Sequence, residues 1–211
     1  MKKTLSQDLL KFIACASMLL DHIGAVFLPW PWLRAIGRLA FPIYCFLLCQ
    51  GYRHTRSLPR YLLRLGILAL LSELPFDLLF YGKLTLAHQN VLFTLILGLL
   101  GAWAMDTAQP AWLKGAAGLL CILLAEALGT DYGGMGVLLI LVMARTEGLL
   151  LWGLAMGILF ASAGGMQIFG LLALIPIALC SGKKTGRGNR WMNWFYPAHL
   201  ALLLVLDKCF P

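Results

Sequence analysis

An imidazole is the one side chain whose ordinary pKa lies close to neutrality, and His22 sits in an apolar stretch, Met18-Leu19-Leu20-Asp21-His22-Ile23-Gly24. Lys11 precedes it by eleven residues. On an α-helix that spacing is three turns plus ~20°, so both side chains leave the same face, ~16 Å apart along the axis. Cys15 and Met18 lie on the same stripe. A cation at one end and an imidazole at the other suit a site that grips the tail of a long donor and reacts at its head. Each residue also has a plainer reading. Lys11 can be an interfacial anchor, paired to Asp8 at i,i+3, and His22 a histidine hydrogen-bonded across helices. Asp21 does not face His22, because adjacent helical residues diverge. A carboxylate oriented toward the imidazole is therefore expected from another segment, with Glu73, Asp77 and Asp131 as the candidates.

Other polar residues interrupt apolar runs. Arg53, Arg56, Arg60 and Arg64 form a basic hairpin end, the last three spaced by four. Guanidinium forks match phosphate oxygens; the same residues also fit an excess of basic residues on the cytoplasmic side of a membrane protein. Ser72-Glu73-Leu74-Pro75-Phe76-Asp77 sets two carboxylates at i,i+4 around a proline, which removes a helical donor and kinks the segment. Arg38, Asn90, Glu126, Asp131 and His199 complete the set. Ionisable groups inside apolar spans cost about 2.5–3.5 kcal/mol each on insertion scales and face a bundle interior or wet cavity. His54 and His88 read as loop residues, and Cys45 and Cys49 as small buried apolar groups.

The elements that must hold these residues follow from composition. The chain has 211 residues, 61% apolar and 12% charged, with mean hydropathy +0.83. Soluble domains average about 45–50% apolar and about 25% charged, and disordered chains are poorer in apolar residues still. The six cysteines lack metal-ligand or disulfide-framework spacing. The net charge of +8 has no soluble basic domain to carry a nucleic acid. Apolar runs fall at 8–28, 36–52, 60–81, 90–105, 112–128, 132–144, 148–163, 165–181 and 193–207. The expected fold is all-α: a polytopic integral membrane helix bundle of about nine transmembrane or re-entrant helices, with no soluble domain and a single transmembrane domain over 1–211. A full span takes ~20 residues, so loops must be short, and 132–144 is too short to cross unaided. The retained first span starts after Met1-Lys2-Lys3.

With a cytoplasmic N-terminus and nine crossings, Lys2, Lys3, Arg53, Arg56, Arg60, Arg64, Lys114, Arg145, Lys183, Lys184, Arg187 and Arg190 lie inside. Only Arg34, Arg38, Lys83 and Lys208 lie outside, a marked positive-inside bias. Trp30 and Trp32 fit the outer aromatic belt, Trp191 and Trp194 the inner one. Asp21, His22, Arg38, Glu73, Asp77, Asn90, Glu126 and Asp131 then occupy the outer half of the membrane. Lys11, Arg53, Arg56, Arg60, Arg64 and His199 occupy the inner half.

Several blocks together resemble the TraX family: Leu9-Leu10-Lys11 through Asp21-His22-Ile23-Gly24; Ile36-Gly37-Arg38-Leu39-Ala40-Phe41-Pro42-Ile43; Gln50-Gly51-Tyr52-Arg53; and Tyr61-Leu62-Leu63-Arg64-Leu65. The blocks Ser72 to Asp77, Asn90 to Leu95, Asp131-Tyr132-Gly133 and Phe195 to Leu200 continue it, over about residues 8 to 205. That family is associated with N-terminal acetylation of pilin and is similar to the wider transmembrane acyltransferases, whose first span carries a basic residue, ten intervening residues and a histidine. Lys11 and His22 match that pattern, with Lys in place of Arg. The resemblance implies an integral acyltransferase of the bacterial cytoplasmic (inner) membrane with acetyl-CoA as acyl donor. The acceptor would be a membrane-associated peptide N-terminus, lipid or glycan; membrane lipids would surround the protein, and neither metal nor nucleic acid is implied. In that scheme His22, Asp21, Asp77, Glu73, Asp131 and Arg38 form the catalytic set, with His22 as general base, Asp77 or Asp131 orienting it and Arg38 facing the oxyanion. Lys11, Arg53, Arg60, Arg64 and His199 form the donor-binding set. The rival expectation is a small multi-pass transporter, or proton-coupled protein, in which the same buried groups relay protons.

Overall fold

A computed structural model describes residues 4–108, 110–182 and 191–209. Among them the architecture is all-helical, apart from two isolated backbone bridges, Leu5 with Cys180 and Gln89 with Thr130. The helices are α1 (Gln7–Val26), α2 (Pro31–Gly37), α3 (Ala40–His54), α4 (Leu58–Phe80), α5 (Val91–Thr107), α6 (Ala111–Ala127), α7 (Gly133–Arg145), α8 (Leu149–Ala163), α9 (Leu174–Ala178) and α10 (Phe195–Cys209), with a 3₁₀ segment, Gly165–Ala173, before α9. The nine apolar runs reappear in order, with α2–α3 and the 3₁₀ segment–α9 each serving as one broken rod. Of the topological residues, Lys2, Lys3, Lys183, Lys184, Arg187 and Arg190 lie outside the described residues.

Against the ~20 residues that a full span takes, the rods are unequal. By length and composition two rods can cross a membrane, Gln7–Val26 and Pro31–His54. Helix α4 has 23 residues, but Arg60, Arg64, Glu73 and Asp77 interrupt its apolar character. Helices α5 and α6 have 17 residues, α8 has 15 and α7 has 13. At ~1.5 Å per residue these reach roughly 20–26 Å, against a hydrocarbon core of ~30 Å. The 3₁₀ segment rises ~2.0 Å per residue, so Gly165–Ala178 reaches about 25 Å. Gly164 precedes it and Gly165 opens it at φ +73° and +58°, values that side-chain-bearing residues rarely adopt.

The helices form two compact units, Met1–Leu47 with Gly148–Pro211, and Leu48–Glu147. They are called the terminal and middle units below. The sequence carries no mark of this grouping, because the first boundary falls inside α3.

In the terminal unit the core comprises Leu10, Ala14, Ile43, Met156, Phe160, Ala173 and Leu200, essentially sealed from solvent. Ser6 caps α1, its hydroxyl accepting from the Leu9 N–H at 3.1 Å. Pro31 starts α2, where a missing N–H is harmless. Its last residue is Gly37, where a Cβ would stand 2.2 Å from the Cβ of Asp21.

The middle unit packs α5 against α6 and α7 through small residues. A Cβ on Gly98 would fall 2.4 Å from Ile140 Cδ1, and Ala102, Cys121, Ala125, Val137 and Leu141 fill the seam. Small residues let the helix backbones approach closely. Asn90 caps α5, its side-chain oxygen accepting from the Leu92 N–H at 3.1 Å.

Candidate functional site

In the terminal unit α1 presents Lys11, Cys15, Met18 and His22 as the stripe expected from their spacing. Each of three members meets a partner from another element. The Lys11 ammonium donates to the Asn193 side-chain oxygen. Cys15 Sγ lies 3.1 Å from Tyr44 Oη of α3. His22 Nδ1 lies 2.7 Å from His199 Nε2 of α10. Because Asn193 precedes His199 as Lys11 precedes His22, α1 and α10 run parallel.

The two imidazoles share one hydrogen bond within a common plane. Their planes differ by 11° and their centroids are 4.9 Å apart. With each nitrogen roughly 1.1 Å from its ring centre, a 2.7 Å N···N contact requires that separation when the rings lie edge to edge. Phe195 stacks on His199 at 4.8 Å between centroids, and Tyr196 lies tilted against it at 5.6 Å. His199 is 4% exposed, so its ring orientation is held on all sides.

The partners also assign the tautomers. His199 Nδ1 is 2.8 Å from the Phe195 carbonyl, one turn back on α10. A carbonyl only accepts, so this nitrogen carries the proton, and Nε2 of the neutral ring is the acceptor. His22 Nδ1 must then donate to it, which makes Nε2 the basic nitrogen of neutral His22. A backbone carbonyl thus fixes one imidazole, and that imidazole fixes the next. Sequence reasoning looked for a carboxylate in this role and set His199 at the opposite depth; the structure pairs the two histidines at one level. Phe195-Tyr196-Pro197-Ala198-His199 held the signal, since residues 195 and 199 share a helical face.

Beside the imidazoles, Asp21 is clasped by two guanidinium groups. Arg34 Nη1 donates to Oδ2 at 2.8 Å, and Arg38 Nη2 donates to Oδ1. Arg38 also donates through Nε to the Arg34 carbonyl at 3.3 Å. Asp21 and Arg38, expected among the reacting groups, are therefore engaged with each other in tying α1 to α2. Arg34 was missed, although its i,i+4 spacing to Arg38 could have shown it. Tyr44 and Asn193 carried no comparable signal.

The middle unit holds the remaining candidates. Glu73 Oε2 accepts from the Asn90 amide, and from the Asn90 backbone N–H at 3.3 Å; Asp77 Oδ2 accepts from the Thr85 N–H at 2.8 Å. The Asp131 carbonyl accepts from Thr94 Oγ1. Arg53 donates to the Met143 and Ala144 carbonyls at 3.2 and 3.3 Å, satisfying acceptors at the C-terminus of α7, and lies 3.6 Å from Glu147. Arg64 is exposed and sits over the Tyr61 ring, 5.2 Å from its centroid. Arg60 is exposed one turn earlier. Among the described residues no three His, Cys, Asp or Glu side chains converge as a metal site.

The comparisons with known proteins agree with the blocks read in the sequence. The family described as "TraX protein" matches residues 6–207. A probable fimbrial assembly protein FimC, serogroup H1, of Dichelobacter nodosus is 33% identical, with 92% of each chain covered. The protein TraX of Escherichia coli is 27% identical over 95% of this chain and 86% of its own. No solved structure matches. With the family pattern running through nearly the whole length, both imidazoles included, the chain belongs to the TraX family.

Proposed function

We propose that the protein is a multi-pass acyltransferase of the bacterial cytoplasmic membrane, with its N-terminus in the cytoplasm. It transfers an acetyl group from acetyl-CoA to an amine or hydroxyl of a membrane-associated peptide, lipid or glycan. The observation that carries this reading is the relay from the Phe195 carbonyl through His199 to His22. It makes Nε2 the basic nitrogen of a neutral His22 whose ring is oriented through Nδ1, and a positioned neutral imidazole is suited to general-base catalysis.

The residues of the terminal unit suit a long anionic donor. Lys11 with Asn193 offers a cationic, hydrogen-bonding end, Cys15 and Met18 an apolar length, and His22 the reacting end. The donor supplies an activated thioester carbonyl. As the acceptor's N–H or O–H attacks that carbonyl, His22 Nε2 takes the proton, the new C–N or C–O bond forms and the C–S bond breaks. The proton then passes from His22 to the departing thiolate. While His22 is charged, its Nδ1–H bond to His199 strengthens, as hydrogen bonds to ionised groups do. Asp21, Arg34 and Arg38 hold the α1–α2 corner from which His22 projects. Arg53, Arg60 and Arg64 retain the chemistry for phosphate, but the reading rests on the terminal unit alone.

Purified protein given labelled acetyl-CoA with peptide, lipid and glycan acceptors tests this; the fimbrial description of one relative puts the peptide arm first. Transfer of label by the wild type and its loss in His22→Ala is the expected outcome. Solute movement in proteoliposomes without any transfer or hydrolysis of the label would overturn the reading in favour of a transporter.

A further inference from the structure

The middle unit contains a polar cluster that the transfer reaction leaves unused. Glu73 and Asp77 project one helical turn apart from α4, on either side of Pro75. One oxygen of each is served by N–H donors: Glu73 Oε2 by Asn90, and Asp77 Oδ2 by Thr85. The other oxygens, Glu73 Oε1 and Asp77 Oδ1, are sealed from solvent and have no hydrogen-bond partner. Asp77 is only 2% exposed. Among the described residues neither carboxylate takes part in an ion pair, and Lys83, in the following loop, is exposed.

A buried carboxylate oxygen without a partner carries a desolvation penalty of several kcal/mol unless something positive meets it. The surroundings offer donors to one side of each group and nothing to the other.

We infer that Glu73 Oε1 and Asp77 Oδ1 form a binding site for one small monovalent cation, an alkali-metal ion or a primary ammonium group. A single charge fits because the N–H donors already offset part of the two negative charges. A divalent ion is a poorer fit, since it seeks six or more oxygen ligands and no third acidic side chain converges on the pair. The site is independent of the transfer chemistry, so either can fail without the other.

The full chain in detergent, at fixed ionic strength, provides the test. Thermal unfolding is followed at one pH while choline chloride is replaced by sodium, potassium, methylammonium, calcium or magnesium chloride, and then in choline chloride alone across a pH series. The wild type should melt roughly 3 °C or more higher in at least one small cation than in choline, by preferential binding to the folded state. Asp77→Asn and Glu73→Gln should lose that rise. Sodium or potassium as the effective ion identifies an inorganic ligand, and methylammonium alone an organic one; both support the site. Equal melting of the wild type in choline and in every small cation overturns it, as does an undiminished rise in both variants. A response to calcium or magnesium only, or to pH only, also overturns it, the latter assigning the bare oxygens to a proton. The wild-type comparison stands even if a variant fails to fold.

Discussion

Asp21 in the terminal unit and Asp77 in the middle unit are both buried aspartates on long helices. One is clasped by two guanidinium groups, the other held by a backbone N–H at one oxygen and bare at the second. The same contrast runs through the units. In the terminal unit buried polarity is organised into directed contacts: Asp21 with two arginines, an imidazole with an imidazole, a lysine with an amide. In the middle unit the two carboxylates of α4, Glu73 and Asp77, are positioned by N–H donors, which orient them without pairing them to a cation. Directed, neutralised polarity fixes geometry for chemistry. Positioned but uncompensated polarity favours binding something charged.

The comparison breaks most sharply at His22. Replacing His22 by Ala should lower acetyl transfer by about 10²–10⁴-fold, the usual contribution of a positioned acid–base group, without moving the melting midpoint of Asp77→Asn relative to Asp77 protein. His199→Asn should reduce the rate roughly 10- to 100-fold, because an amide oxygen still accepts from His22 Nδ1. His199→Phe should fall further, and the rate difference between the two replacements measures the orienting bond. Glu73→Gln, outside that relay, should leave the transfer rate within about threefold.

Stability sharpens the same contrast. Arg38→Ala strips a buried partner from Asp21, and removal of one member of a buried pair destabilises by about 3–5 kcal/mol. Arg34 remains, so a loss toward the lower end is expected in thermal or chemical unfolding, with Asp21→Asn/Arg38→Ala recovering part of it. Gly37→Ala, which drives a methyl group into Asp21, should destabilise by about 1–3 kcal/mol. The smallest effect belongs to Arg145→Ala. Its pair with Asp106 is over a third exposed on both sides, and exposed pairs contribute about 0–1 kcal/mol.

Much of the fold was legible because apolar runs and their breakers are local. The nine runs map onto nine rods, and Ser6, Pro31 and Asn90 begin helices as their chemistry requires. The Gly37–Arg38–Leu39 interruption was not legible, because it follows from Arg38 turning to Asp21 on a different helix. The 3₁₀ stretch after Gly165 was equally hidden, since a run of apolar residues looks the same at either pitch. At the site, the Lys11–His22 stripe could be read from helical period alone. The identity of His22's partner could not: a carboxylate and a second imidazole both satisfy Nδ1, and only the parallel packing of α10 on α1 decides between them. Arg53 illustrates the opposite case, a residue whose guanidinium chemistry suits phosphate while its contacts are the carbonyls ending α7.

The histidine pair joins positions 177 residues apart in sequence, one on the first helix and one on the last. Every intervening segment must be synthesised and threaded before the two rings can touch. If the proposed chemistry holds, a polypeptide released before α10 is made lacks the second imidazole and cannot assemble the relay, so competence would arrive late in translation and a stalled ribosome would release an inert fragment.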